Sequence, residues 1–170
     1  MILIISNGDK NETLYTIPSL IKFFNEKKIK VLIVNDNMDI KKIISNKSKI
    51  KAVILSGGNL RITSEICMNK IIKNIFPILE LNVPILGICL GFQILGIIYG
   101  GELAKLPKFR NYNQTIELKK NKLFTNLDTS VKFKQMHNDY LKNISPLFKI
   151  IATSNNGRII QAYKHKTKDI

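Results

Sequence analysis

The sequence has little of several residue types, and each scarcity argues against a class of protein. Its 170 residues include two cysteines, Cys67 and Cys89, which is too few for a disulfide framework. With only two histidines as well, it shows no metal-ligand spacing. The run Ser-Gly-Gly at 56–58 lacks the Lys that phosphate-binding loops use. We therefore predict no metal and no cofactor, and a reducing, cytoplasmic setting.

Long hydrophobic runs are also missing. No apolar run reaches the roughly 18 residues that a membrane helix needs, and the longest, over residues 85–99, is interrupted by glycines. The N-terminal run over residues 1–5 has neither a basic leader nor a cleavage site, so we interpret it as a strand rather than a signal peptide. No contact with a membrane is expected.

Acidic residues are scarce, with 12 Asp and Glu against 27 Lys and Arg, and the net charge is +15. The cations comprise 24 Lys and only 3 Arg, and they accompany 30 Ile and 18 Asn, which share A/T-rich codons. The lysines are scattered, and the residue that reads bases with two hydrogen bonds is Arg. We therefore predict a basic surface that reflects composition, and nucleic acid is an unlikely partner despite the charge.

The front half alternates predicted strands and helices. Strands are predicted at 2–5, 30–34, 52–55 and 83–88, and helices around Pro18 to Phe24, at Met38–Ile44 after a cap at Asn37, around Ile66, Ile71 and Ile75, and at 94–99. This rhythm favours an α/β fold with a parallel sheet and helices on both faces. Such sheets place their sites at the carboxyl ends of strands.

The back half predicts short strands joined by turns. They fall at Glu102–Ala104, Gln114–Leu118, Val131–Phe133, Phe148–Thr153 and Ile159–Tyr163, and the run Asn-Asn-Gly at 155–157 predicts a hairpin turn. No repeat or linker divides the sequence. We expect a single domain over residues 1–170.

Cys89 stands at the centre of a Gly-x-Cys-x-Gly pattern between a predicted strand and a predicted helix. Glycines on both sides leave room for the strained turn that exposes a nucleophile. The start of the helix would favour a thiolate, and the N–H of Leu90 would face a developing oxyanion. Because glycine lets the backbone come close to a ligand, Gly57 and Gly58 are the expected second donor. The pattern predicts a nucleophile rather than a small core residue.

The segment at 84–93, Pro-Ile-Leu-Gly-Ile-Cys-Leu-Gly-Phe-Gln, closely resembles the nucleophile segment of the class I, triad-type glutamine amidotransferases. The run at 52–58 resembles their oxyanion strand, and the motif around His137 and the tail from 152 to 170 occur in the family's order. The resemblance spans essentially the whole chain. It implies a flavodoxin-like fold, with a mostly parallel central sheet flanked by helices and short antiparallel strands in the C-terminal half.

Within the family, the sequence is most similar to the amidotransferase subunits of archaeal-type GMP synthases, with anthranilate and aminodeoxychorismate synthase subunits being close alternatives. The resemblance implies that Cys89 attacks the side-chain amide of glutamine and that ammonia passes to a synthetase partner. Gln93 corresponds to the residue that holds the substrate. Asn138 and Asp139 correspond to a turn whose backbone contacts glutamine, and His137 beside them receives no catalytic role.

The base and its orienting residue in the family are the His and Glu of a segment resembling Gly-Val-Gln-Phe-His-Pro-Glu. That segment is expected directly after Ile170, where the sequence ends. His165 precedes that position and is a poor substitute. We interpret the chain as truncated at its C-terminus, with a natural loss or a base borrowed from a partner as alternatives, and we expect little glutamine turnover from it.

Three functions remain open at this point, and whether the chain is an enzyme is open with them. The first is an amidotransferase subunit that feeds ammonia to a synthetase. The second is a hydrolase of the same superfamily acting on γ-glutamyl compounds, since such hydrolases also resemble the segment around Cys89. The third is a pseudo-enzyme that only binds glutamine or a partner, which the absent His and Glu favour.

Overall fold

The computed structural model describes residues 1–7, 16–35, 38, 40–45, 49–58 and 74–170. The chain divides into two compact units, each built on a four-stranded sheet of its own. Met1–Leu95 with Asp169–Ile170 form the parallel unit, and Gly96–Lys168 form the antiparallel unit. That the whole chain is a single amidotransferase domain stays a prediction.

The strands of the parallel unit are β1 (Ile2–Ser6), β2 (Val31–Asn35), β3 (Ala52–Leu55) and β4 (Ile85–Gly87). They form a parallel sheet in the order β2-β1-β3-β4. This is the order of flavodoxin-like sheets, in which ligands bind at the carboxyl ends of strands where the order reverses, here between β1 and β3.

The helices of this region are α1 (Thr16–Glu26), α2 (Ile40–Ile44), a helical segment at 74–79, and α3 (Leu90–Ile98), which begins in the parallel unit. α1 packs through Ile17 against Ile4 and Ile54, with Leu20, Ile21 and Phe24 partly buried in the same cluster. The apolar spacing that predicted α1 is therefore the spacing of its core-facing side.

Sequence and structure agree closely for the parallel unit. Strands buried on both faces read as continuous apolar runs, and the four predicted strands are all present, with β4 shorter than the predicted 83–88. The helix predicted at Met38–Ile44 is shorter at its start, and the predicted cap Asn37 lies outside the described residues, as do Ile66 and Ile71. The helix predicted from residue 94 begins at Leu90, directly after Cys89.

The antiparallel unit consists of β5 (Glu102–Leu118), β6 (Ser130–Asn143), β7 (Phe148–Ser154) and β8 (Ile159–His165), paired in the order β6-β5-β7-β8. A short 3₁₀ helix, Lys122–Phe124, precedes β6. Leu141, Ile151 and Ala152 are among its most deeply buried residues. The α/β fold class is confirmed, with the antiparallel strands forming a separate sheet.

The prediction of short strands was wrong for β5 and β6. Glu102–Ala104 and Gln114–Leu118 are the two ends of one 17-residue strand, and Val131–Phe133 is a small part of a 14-residue strand. Much of both strands is exposed, so polar residues fill their middles and break the apolar pattern.

The turn predicted at 155–157 is confirmed. Asn155, Asn156 and Gly157 have positive φ values of 55°, 55° and 84°, and Arg158 N–H donates to Asn155 O at 3.2 Å. Asparagine and glycine tolerate this backbone region, which two-residue hairpin turns require. The turn joins β7 to β8.

Candidate active site

The turn between β4 and α3 carries Cys89. Its backbone φ is +51°, in the left-handed region that residues with a Cβ rarely adopt. Holding a non-glycine residue there stores about 1–3 kcal/mol of strain, which persists only where the surrounding structure fixes the turn. The strained strand-to-helix turn that the sequence predicts at Cys89 is therefore present.

The two glycines of the pattern are required by close backbone contacts. A Cβ on Gly87 would lie 2.7 Å from backbone atoms of Gly91 and Phe92. A Cβ on Gly91 would overlap the carbonyl oxygen of Leu55 in β3, and the Gly91 N–H donates to Ser56 O at 3.2 Å. The start of α3 thus packs directly on the end of β3, which leaves no space for a side chain at either position.

The residues that follow β3 approach the nucleophile. A Cβ on Gly57 would lie 3.3 Å from the Cβ of Cys89 and 3.8 Å from Ile88 O, so the loop backbone passes within about one side-chain atom of the cysteine. Gly57 and Gly58 are both partly buried. The structure therefore brings Gly57 to Cys89, as an oxyanion loop requires. That these glycines donate to an oxyanion stays a prediction.

Among the described residues, burial of the Cys89 thiol outweighs the hydrogen bond that favours its thiolate. The residue as a whole is exposed, yet protein atoms around the sulfur desolvate it and raise the pKa of Cys89 above its ordinary range. The backbone N–H of Leu90 hydrogen-bonds the sulfur and lowers the pKa, but by less than desolvation raises it. The N–H at the helix start therefore favours the thiolate, as expected, but burial of the sulfur outweighs it.

Gln93 lies one turn into α3, where its N–H donates to Cys89 O at 3.0 Å. Its side chain is partly buried. The helix therefore carries Gln93 at a fixed interval from the nucleophile. Its role in holding substrate stays a prediction.

Asn138 and Asp139 belong to the antiparallel unit and lie within β6, so the expectation that they form a turn was wrong. The strand is irregular at this point. β5 pairs Lys105 with Asp139 and Arg110 with His137, which leaves the four residues between Lys105 and Arg110 facing Asn138 alone. Such a bulge interrupts the ladder of strand hydrogen bonds and frees backbone groups for other partners. A backbone contact from Asn138 or Asp139 to glutamine stays a prediction.

His137 is held by its neighbours on both sides of the ring. Its Nδ1 lies 2.9 Å from Asp139 O and its Nε2 lies 3.0 Å from the Gln135 amide. A carbonyl oxygen only accepts, so Nδ1 carries a proton and donates to Asp139 O. Burial lowers the pKa of His137, which keeps the ring neutral. These contacts favour a structural role.

The ring of His165 is also engaged in hydrogen bonds and aromatic contacts. Its Nδ1 accepts from the backbone N–H groups of Thr167 at 3.2 Å and Lys168 at 3.0 Å, and its ring packs edge-on against Tyr99 and Phe148. Desolvation and Lys168 lower the pKa of His165. A ring whose Nδ1 already accepts two hydrogen bonds is a poor general base, so the structure supports a packing role.

Asn7, beside the site, was missed by the sequence analysis as a functional group. It follows β1 and its Nδ2 donates to Ser56 O at 2.8 Å, on the loop that reaches Cys89. The position of Asn7 in the sequence was the signal that could have identified it. Asn7 stands directly after a buried strand, as Ser56 does, and the carboxyl ends of neighbouring parallel strands meet at one edge of the sheet.

The described part of the chain contains no group of three or more His, Cys, Asp or Glu residues that could hold a metal ion. Within the same residues, no helix combines the length and apolarity that crossing a membrane requires. Cys67, the second cysteine of the sequence, lies outside the described residues.

The family model for class I glutamine amidotransferases matches residues 14–170. The chain therefore belongs to the class I glutamine amidotransferase family, as the motif around Cys89 predicted. Among curated relatives, it is similar to a glutamine-hydrolysing GMP synthase subunit from Methanocaldococcus jannaschii, with 31% identity over all of this chain and 84% of the relative. The corresponding GMP synthase subunit from Picrophilus torridus is 36% identical over 69% of this chain and 62% of its own length.

Solved structures share the fold. A protein of Thermoplasma acidophilum, described as a candidate GMP synthase subunit, superposes with a TM-score of 0.78 at 23% identity, over 99% of this chain and 79% of that one. A glutamine amidotransferase from Thermotoga maritima superposes with a TM-score of 0.76 at 19% identity, over 96% and 70% of the two chains. At these identities the likeness concerns the fold alone.

Proposed function

We propose that this chain is the glutamine-binding, glutaminase component of a synthetase, with Cys89 as its nucleophile. One observation carries the proposal. Cys89 stands at φ +51° on a strand-to-helix turn, with the Leu90 N–H on its sulfur and with Gly57 so near that a Cβ added there would lie 3.3 Å from the Cβ of Cys89. This is the arrangement that acyl transfer to a thiol requires, because a nucleophile and backbone donors share one small space.

The chemistry follows from that arrangement. The Cys89 sulfur attacks the side-chain carbonyl carbon of glutamine, and the carbonyl oxygen becomes an oxyanion within reach of the Leu90 N–H and a loop N–H of Gly57 or Gly58. The carbon–nitrogen bond then breaks, and the thiol proton leaves with the nitrogen as ammonia. Water hydrolyses the thioester, which releases glutamate and restores the thiol.

Three further residues are proposed to select the substrate. Gln93, on the first turns of α3, is proposed to hold glutamine through its side-chain amide. Backbone groups of Asn138 and Asp139, on β6 opposite the bulge of β5, are proposed to contact the amino-acid end of the substrate. Both assignments rest on correspondence with the family's motif.

The partner is proposed from the relatives. Proteins named as subunits of glutamine-hydrolysing GMP synthases match this chain over its whole length. We therefore propose that ammonia passes to a separate synthetase chain that makes GMP, a step of purine synthesis. A cytoplasmic location stays a prediction.

Deprotonation of the thiol is the step for which this sequence offers no assigned residue. Desolvation raises the pKa of Cys89, which disfavours the thiolate. This burial favours glutamine binding without efficient turnover as the second candidate function. We expect the 170-residue chain to release ammonia from glutamine far more slowly than intact members of the family.

The test is covalent labelling with a glutamine-like chloroketone, with the adduct located by peptide mass spectrometry. The proposal predicts an adduct on Cys89, protection by glutamine, and no adduct in Cys89→Ala. Cys67 is the internal control, since labelling there would show unspecific reactivity. Stronger protection by γ-glutamyl amines than by glutamine would favour a γ-glutamyl hydrolase. Labelling that no amino acid prevents would overturn the proposal.

A further inference from the structure

A buried polar pair lies behind the loop that reaches Cys89. Asn7 directly follows β1, and Ser56 directly follows β3, which pairs with β1 in the register Ile5↔Leu55. Asn7 is 7% exposed and Ser56 is 0% exposed. Burying polar groups costs free energy unless they are hydrogen-bonded, so the bonds of this pair are needed to keep it in place.

Ser56 is held by bonds from three directions. Its N–H donates to Ile5 O at 2.9 Å, and its Oγ accepts from the Asn7 N–H at 3.1 Å while donating to Gly57 O at 2.8 Å. Its carbonyl oxygen accepts from Asn7 Nδ2 at 2.8 Å and from the Gly91 N–H at 3.2 Å. One residue therefore ties together the end of β1, the glycine loop and the start of α3.

These bonds orient the loop beside the nucleophile. In a planar trans peptide the C=O and the N–H point in opposite directions. Because the Ser56 hydroxyl holds Gly57 O, the N–H of Gly58 on the same peptide unit points away from Ser56. The loop meanwhile passes close to Cys89, since a Cβ added to Gly57 would lie 3.3 Å from the Cβ of Cys89. The direction of a backbone donor next to the cysteine thus depends on how Ser56 is held.

We propose that Asn7 is a positioning residue for the oxyanion loop, acting through Ser56. This inference rests on the proposed function, since it concerns an oxyanion formed at Cys89. The side-chain N–H₂ group of Asn7 fixes the Ser56 carbonyl, and its backbone N–H fixes the Ser56 hydroxyl that in turn holds Gly57 O. An amide is required because the group facing the Ser56 carbonyl must donate.

The substitution Asn7→Asp tests this requirement with almost no change in shape. The carboxylate would place an acceptor where Nδ2 now donates to Ser56 O, and the two oxygens would repel each other. Two reagents separate loop geometry from thiol reactivity. A glutamine-like chloroketone reacts through a tetrahedral adduct that needs the oxyanion donors, whereas iodoacetamide displaces iodide directly and does not.

We expect Asn7→Asp to lower the second-order rate constant for the chloroketone by about tenfold or more, and to leave that for iodoacetamide within about twofold. The ratio of the two rate constants cancels the thiolate fraction, because both reactions use the thiolate. The ratio should recover as the pH falls and the introduced carboxyl becomes protonated, since its O–H then donates to Ser56 O. Asn25→Asp, on the exposed end of α1, adds the same charge and should change neither rate.

Several outcomes would overturn the inference. An unchanged ratio in Asn7→Asp, or an equal fall of both rates without acid recovery, would show that Asn7 serves the fold alone. If Asn7→Asp fails to fold, Ser56→Ala takes its place, because it keeps the Ser56 carbonyl and removes only the hydroxyl that holds Gly57 O. An unchanged ratio of the chloroketone and iodoacetamide rate constants in Ser56→Ala would contradict the proposal. If the unmodified chain shows no glutamine-protected labelling by the chloroketone, the proposed function fails and the role of Asn7 fails with it.

Discussion

The two units of the molecule carry their polar chemistry in different ways. In the parallel unit, the turn that carries Cys89 is packed closely against backbone. Cys89 has a positive φ, a Cβ added to Gly57 would lie 3.3 Å from the Cβ of Cys89, and Gly91 leaves no space for a Cβ. In the antiparallel unit, the polar groups are side chains on β5 and β6, where Arg110 donates to Gln114 and His137 pairs opposite Arg110.

This difference predicts which kind of change destabilises each unit. Backbone packed against backbone tolerates no added atoms, because neither partner can rotate away as a side chain can. Side-chain hydrogen bonds tolerate small changes in shape but depend on protonation. Added methyl groups should therefore damage the parallel unit most, and acid should damage the antiparallel unit most.

The largest effect is expected for Gly91→Ala. The new methyl group would overlap the carbonyl group of Leu55 in β3, so either the strand or the start of α3 must move. We expect the free energy of unfolding to fall by about 3 kcal/mol, measured by urea denaturation.

Gly157→Ala is the matched control in the antiparallel unit. A Cβ on Gly157 would meet nothing within 4 Å, so only the positive φ of 84° opposes the substitution. That conformational preference is worth about 1 kcal/mol. Equal losses in the two variants would contradict the contrast between the units.

A smaller effect of opposite sign is expected for Cys89→Gly. Glycine adopts φ +51° freely, so the substitution releases strain of about 1–3 kcal/mol. Glycine also raises the conformational entropy of the unfolded chain, which offsets part of that stabilisation. The net stabilisation should be about 1 kcal/mol in thermal or urea unfolding. Cys89→Ala keeps the strained φ and should gain nothing. A Cys89→Gly protein no more stable than Cys89→Ala would show that the turn is unstrained.

The smallest effect concerns acid. Burial lowers the pKa of His137 and of His165, and both lie in the antiparallel unit. The unfolded chain therefore takes up protons first as the pH falls. The stability that the neutral rings contribute is complete above about pH 6.5 and is lost as the pH falls towards the lower folded-state values.

Hydrogen exchange between about pH 7 and pH 5, the range in which histidine titrates, would locate this loss once corrected for intrinsic rates. Peptides from β6 and β8 should lose protection before those from β1 and β3. In His165→Asn, whose Oδ1 can still accept from the backbone N–H groups, the acid loss in β8 should shrink. Equal loss of protection in both units would contradict the assignment.

The same contrast explains what the sequence could predict. β1 and β3 are short apolar strands buried on both faces, so their composition alone predicts them. The glycines around Cys89 predict a tight turn, because close backbone packing is what requires glycine there. β5 spans 17 residues with polar side chains exposed along it, so no local pattern reveals it as one strand. Its pairing with β6 is a long-range property that periodicity does not encode.

Within the site, the sequence located Cys89, Gly57 and Leu90 but predicted a thiolate where burial raises the pKa. Desolvation depends on atoms brought together by folding, so the motif could not reveal it. Asn7 was missed for a related reason. It acts across two neighbouring strands, and only the sheet order brings it to Ser56.

The central claim is that the turn at Cys89 and the loop at Gly57 together form an oxyanion site for glutamine. The most direct test is a crystal structure of the chain after reaction with a glutamine-like chloroketone. The account predicts that the former carbonyl oxygen of the adduct lies about 2.7–3.1 Å from the Leu90 N–H and from a backbone N–H of Gly57 or Gly58. An adduct on Cys89 whose oxygen faces solvent, with both donors unused, would contradict it.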